Sequence, residues 1–153
     1  MKITDILSPK LVIPELRSRE KPELLGEMAG YLAGQHPEIN SDTLTAVLAE
    51  RERLGSTAIG DGIAIPHGKI AGVDRIIGLF GRHPEGVDFD SLDGRPTHLF
   101  FVLVAPEDSA SLHLKALARV SRLLKDPAFR ERLIKAADDA EIFNLLKEED
   151  ARH

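Results

Sequence analysis

The sequence predicts an α/β or α+β protein: a sheet covered by helices on both faces. Three observations lead there. Two segments with helical apolar spacing open the chain, at residues 23–33 and 41–54. Two apolar runs without strict alternation follow, at 75–81 and 99–105, and such runs suit strands covered on both sides. From Ser109 onward the pattern is helical again.

In chain order, residues 3–7 read as a short helical turn and 11–13 as a short strand ended by Pro14. The first helix places Leu24, Leu25, Met28, Tyr31 and Leu32 on one face. Ser41 is a plausible cap for the second helix, whose apolar face is Leu44, Val47, Leu48 and Leu54, with Gly55 as its stop. Short β-type runs at 57–59 and 63–65 are punctuated by Gly55, Gly60, Gly62, Pro66 and Gly68. Residues 86–90 and 92–96 read as turns and a short edge strand. In the helix after Ser109, Leu114, Leu117, Val120 and Leu124 define one face; Pro127 breaks it and two shorter helices follow. The charged residues 147–153 are expected to fray.

The chain of 153 residues shows no linker, repeat or low-complexity segment, so a single domain over 1–153, with a core at about 3–148, is expected. It has no cysteine, which excludes disulfides, thiolate metal sites and cysteine nucleophiles and suits a reducing cytoplasm. No apolar run is long enough to span a bilayer, and the N-terminus lacks a signal-peptide core, so neither membrane insertion nor export is expected. The net charge of -5 argues against a general nucleic-acid surface. Walker A and dinucleotide glycine patterns and kinase signatures are all missing.

The chemistry concentrates in one stretch, Gly55-Ser-Thr-Ala-Ile-Gly-Asp-Gly-Ile-Ala-Ile-Pro-His67-Gly68-Lys69. Pro66 constrains how the chain enters His67. Gly68 removes a side chain beyond the ring, so that the backbone could approach a bound group. If a helix or turn began here, its free N–H groups would face an anion. A neutral imidazole can attack phosphorus through a lone pair without losing a proton, provided an acceptor holds the other nitrogen's N–H. Arg51 falls on the apolar stripe of its helix, where a guanidinium either meets an anion or carbonyl or extends to water. His113 lies on the core-facing side of its helix, as a core or a functional histidine. Ser56 and Thr57 could donate to phosphate or simply begin a strand, and Asp61 is a turn or rim residue. His36, His83, His98 and His153 read as surface residues.

Gly-Ile-Ala-Ile-Pro-His-Gly around His67, extended upstream by Arg51-Glu-Arg-Leu-Gly-Ser-Thr57, resembles the fructose/mannitol-type (type-2) enzyme IIA family of the bacterial phosphotransferase system. The glycine-rich part looks most like the nitrogen-regulatory branch. The resemblance implies a mixed sheet sandwiched between helices, and phosphorylation of His67 at Nε2 by a histidine phosphocarrier protein of the sugar or nitrogen branch. It implies that Arg51 and His113 (in Ser111-Leu-His-Leu) hold the phosphoryl group, with no cofactor and no metal. The acceptor would be a regulatory target or, in the transport alternative, a IIB protein for fructose/mannitol-type uptake. A third alternative is a non-enzymatic module in which His67 and His113 bind a metal, which lacks an evident carboxylate partner.

Overall fold

The computed structural model describes residues 1–153. Two 3-10 turns, Ile3–Asp5 and Pro9–Leu11, lead into β1 (Val12–Ile13). Helices α1 (Lys21–Gln35) and α2 (Ser41–Arg53) follow, then the short strands β2 (Ala58–Gly60), β3 (Ile63–Ala64) and β4 (His67–Ile70). Two long strands, β5 (Ile77–Val87) and β6 (Thr97–Pro106), precede α3 (Ala110–Leu123), α4 (Pro127–Lys135) and α5 (Asp139–Ala151).

The sheet runs β1-β5-β6-β3-β2, with β4 also on β6. β5 and β6 form its antiparallel centre, Leu79 opposite Val102. β1 lies parallel to β5, and β3 and β4 lie parallel to β6. The sheet is therefore mixed. Helices α1 and α2 pack on each other and against β5 and β4; α3 and α5 cover β6 and β1, with α4 against α5. Neighbouring residues of β6 explain the missing alternation. Phe101 meets Phe80 edge-on at 6.1 Å and Phe100 meets Phe89 at 5.2 Å, and all four rings are buried. Successive side chains point to opposite faces, and here both faces are covered.

β3 and β4 keep a single register against β6: Ile63 and Ala64 face Leu99 and Phe100, and His67 faces Leu103. They are one strand interrupted at Ile65–Pro66. Pro66 has no N–H to give the ladder, but its carbonyl still accepts from the Leu103 N–H, and the Ile65 N–H turns to the Thr57 carbonyl of the neighbouring segment.

Several details differ from the sequence pattern. The cap of α2 is Asn40, whose side chain accepts from the Thr43 N–H; Ser41 is the first helical residue. Tyr31, Leu54 and Leu114 are exposed, and the buried stripe of α3 is His113, Ala116, Val120 and Leu123. Strand β5 runs on through Val87, so residues 86–87 end a long strand and do not form a separate edge. His83 is buried, because its Nε2–H donates to the Ser18 carbonyl and its Nδ1 accepts from the Gly86 N–H. Residues 147–151 do not fray. Asp150 is buried and accepts from the Ile3 N–H at 2.8 Å and from Arg119 Nε at 2.8 Å, which ties α5 to the start of the chain. On the same side of the sheet, buried Arg82 donates to the carbonyls of Leu133, Ile134 and Ala136, closing the C-terminus of α4 where carbonyls lack helical partners.

Candidate functional site

His67 opens β4, on the stretch of strand that resumes after the Ile65–Pro66 break. Alternation along a strand sends His67 and Gly68 to opposite faces. Gly68 faces α2: a β-carbon there would overlap Cγ1 of Val47. This revises the reason for the glycine. It lets a helix approach the strand, and nothing in its surroundings reserves the space for a ligand. His67 therefore points the other way, towards α3, where its ring lies 5.2 Å from that of His113 at an interplanar angle of 52°. A strand, not a helix or turn, begins at His67, so no helix N-terminus supplies anion donors there.

Close packing of α2 on β4 also delivers Arg51, one turn beyond Val47. Its Nε–H donates to His67 Nε2 at 3.3 Å, and its Nη1 donates to the Gly55 carbonyl at 2.7 Å. On the far side of the ring, His67 Nδ1–H donates to the Ile65 carbonyl at 2.8 Å. These two bonds agree on one tautomer. The proton is on Nδ1, and the lone pair is on Nε2. The acceptor that fixes the tautomer is the carbonyl two residues back along the chain, on the far side of Pro66.

Half-burial of the ring pushes the His67 pKa below its usual 6.5. The bond to Ile65 opposes that shift, the Arg51 guanidinium adds to it, and the charge of Glu52 opposes it. His113 is lowered too, by burial first and then by His67 and Lys69. Both shifts favour the neutral ring. His113 Nδ1 is enclosed with no hydrogen-bond partner. Enclosed acceptors are better tolerated than enclosed donors, so its N–H belongs on Nε2.

The three residues singled out from the sequence thus meet at one edge of the sheet, between the two helical layers. Ser56 and Thr57 do not join them. Ser56 Oγ donates to the Phe89 carbonyl, and Thr57 is buried with its hydroxyl on Glu52. Asp61 is a left-handed turn residue with φ 58°, its N–H on Asp93. Sequence reasoning missed Glu52, a buried carboxylate next to Arg51. The signal was available: Leu44, Leu48 and Glu52 follow one another at four-residue intervals, so the inward stripe of α2 ends on Glu52, with Arg51 at its margin. No group of three or more His, Cys, Asp or Glu residues is arranged to hold a metal ion, so the histidine pair has no third ligand of those types.

Comparison with known proteins shows the family of the chain. The family model described as "Phosphoenolpyruvate-dependent sugar phosphotransferase system, EIIA 2" matches residues 5–149. A nitrogen regulatory protein of Bradyrhizobium diazoefficiens is 42% identical over 149 residues, covering 95% of each chain. The fructose-specific EIIABC component of Bacillus subtilis is 37% identical over 150 residues; the match covers 98% of this chain and 24% of that longer protein. Among solved structures, the nitrogen regulatory protein IIA-Ntr of Neisseria meningitidis superposes with a TM-score of 0.86 at 32% identity, covering 94% of this chain and 98% of that one. The mixed sheet between helical layers, the sequence around its edge histidine and these likenesses agree: the chain belongs to the EIIA 2 family of the phosphoenolpyruvate-dependent sugar phosphotransferase system.

Proposed function

We propose that His67 is the phosphoryl acceptor of this phosphotransferase component, and that it receives the group from a histidine phosphocarrier protein. The observation that carries this reading is the fixed tautomer, with Nδ1–H on the Ile65 carbonyl and the lone pair on Nε2 beside Arg51. The Nε2 lone pair forms the new N–P bond as the N–P bond of the donor breaks, and the bonding pair returns to the donor's ring. No proton need leave His67 for the attack, so no general base is required. The ring takes up positive charge, which the Nδ1–H···O=C bond to Ile65 helps to stabilise. Orientation and charge stabilisation then carry the catalysis.

Arg51 occupies the lone pair in the resting site and would move onto the phosphoryl oxygens as they arrive, its planar fork suiting phosphate. His113, with its proton on Nε2, is the second donor. Exposed Leu54, just beyond the end of α2, and exposed Leu114, beside His113, offer apolar surface to a docking protein. The whole chain acts as one domain. Its place of action is the cytoplasm; no helix is long and apolar enough to cross a membrane.

The likeness to nitrogen regulatory proteins over nearly the full chain supports a regulatory end point, in which a target protein reads the phosphorylation state. A phosphoryl group brings about two negative charges and so changes which surfaces fit. The likeness to a fructose-specific component supports a second reading, onward transfer to a IIB protein.

The test is phosphorylation by the carrier protein fed from phosphoenolpyruvate and enzyme I. The wild type should gain one acid-labile phosphate and His67→Ala none; full labelling of the variant would refute the assignment. Sugar phosphorylation after adding IIB and IIC components separates transport from regulation.

A further inference from the structure

Glu52 is an unusual place for a carboxylate. Its side chain is 4% exposed, between the largely solvated Arg53 and the half-buried Arg51. Both oxygens are in use. They accept from the Thr57 N–H at 2.9 and 3.0 Å and from the Thr57 hydroxyl at 2.7 and 3.2 Å. Lys21 Nζ, at the start of α1, lies 3.2 Å from Oε1, spans to Asp90 at 2.9 Å, and sits over the Phe89 ring at 4.6 Å. A buried charge of this kind persists only when paired and fully hydrogen-bonded.

The chain between Glu52 and Thr57 includes the carbonyl that holds Arg51. Gly55 accepts from Arg51 Nη1, adopts φ 154°, and has no atom packed where a side chain would stand. A glycine in so open a turn has wide conformational freedom. Something must restrict it if its carbonyl is to orient a guanidinium. The Gly55 N–H on the Glu52 backbone carbonyl at 3.1 Å and the Ser56 hydroxyl on the Phe89 carbonyl pin one side of it. The clamp of Glu52 on Thr57 pins the other, and it spans the turn from helix end to strand start.

We propose that Glu52 is a positioning residue for phosphoryl transfer: by clamping Thr57 it fixes the Gly55 carbonyl, and through it holds the Arg51 guanidinium beside His67. It does not touch the phosphoryl group. Its effect reaches the reaction through two backbone points and one arginine. The inference rests on the phosphocarrier reading of His67 for its kinetic consequence, but not for its structural one.

Two variants weaken the clamp, one with loss of the charge and one without. Glu52→Gln keeps the shape but removes the charge and weakens the hold on Thr57. Thr57→Val keeps the Glu52 carboxylate and removes the hydroxyl bonds. Both should lower the kcat of phosphate acceptance about tenfold or more, since small misplacements of a catalytic group are costly, with little change in KM for the donor. Thr57→Ser, which retains the hydroxyl, should restore the rate. In nuclear magnetic resonance spectra of the unphosphorylated protein, the Arg51 Nε–H signal should move to the position of a solvated arginine in both variants and return with Thr57→Ser. Folded variants with wild-type kcat and an unmoved Arg51 signal overturn the proposal, as does a rate loss confined to KM. If the wild type itself accepts no phosphate, the phosphocarrier reading fails, and the Arg51 signal, measured without any donor, still decides the role of Glu52.

Discussion

A β-carbon on Gly68 would overlap the Cγ1 methyl of Val47. That near-contact sets the spacing between α2 and the strand carrying His67, and thus places Arg51 within 3.3 Å of the imidazole. Gly68→Ala should push the helix away, costing about 1–3 kcal/mol of stability as overpacking does and slowing phosphate acceptance as well. Val47→Ala opens space opposite, so the double variant should recover much of both losses. A double-mutant cycle by urea denaturation measures the coupling; strict additivity would show that the two residues do not constrain each other.

Arg51→Lys tests whether charge alone suffices. A lysine keeps the positive charge but has no Nε–H and fork to span His67 and the Gly55 carbonyl together. Phosphate acceptance should fall by about a hundredfold, the scale seen when one preorganised donor to developing charge is lost. A rate close to wild type in single-turnover labelling would mean that the guanidinium geometry is dispensable.

The pH dependence of stability follows from the same ring. In the folded protein His67 binds its proton below 6.5, and in the unfolded chain at about the ordinary value. Between those two values the unfolded state holds more protons, so stability rises with pH across that window and falls as the solution is acidified through it. His113 acts in the same direction. Urea denaturation between roughly pH 5 and 8 should show this slope, and His67→Gln should flatten it. A slope unchanged in that variant would place the titration elsewhere.

How much of this was legible beforehand depended on the kind of contact involved. Helical spacing located α1, α2 and α3, and unbroken apolar runs located β5 and β6, because burial writes those patterns along the chain itself. His67, Arg51 and His113 could be picked out by motif, yet their meeting depends on a strand break and on helix packing, which bring together residues far apart in sequence. Tyr31, Leu54 and Leu114 were misplaced for a related reason: periodicity gives a stripe, but neighbouring elements decide how wide a stripe they cover. Polarity makes His83 read as a surface residue and Asp150 as part of a fraying end; each is buried because a distant backbone group completes its hydrogen bonds.

Asp150 offers a stability test away from the edge of the sheet. Burial pushes its carboxyl up, but the Arg119 side chain and the Ile3 N–H outweigh that and hold it below 3.8. A depressed acid stabilises the fold above its unfolded value, and that contribution is lost as pH falls through the folded one. Asp150→Ala strands a buried N–H and a partly buried guanidinium, and should cost about 2–3 kcal/mol with phosphate acceptance at 25 °C unaffected. Thermal melting beside a labelling assay checks both; an unchanged melting temperature would show the clamp to be idle.

The bond from Ile3 to Asp150 brings the first and last turns of the chain side by side. A short peptide could therefore join the two ends, and the chain could be reopened at the exposed Leu92 loop without breaking any strand. Such a circular permutant would relocate both tails next to the 88–95 segment, giving a fusion tag or fluorophore a new point of attachment while every strand, β4 included, stays whole.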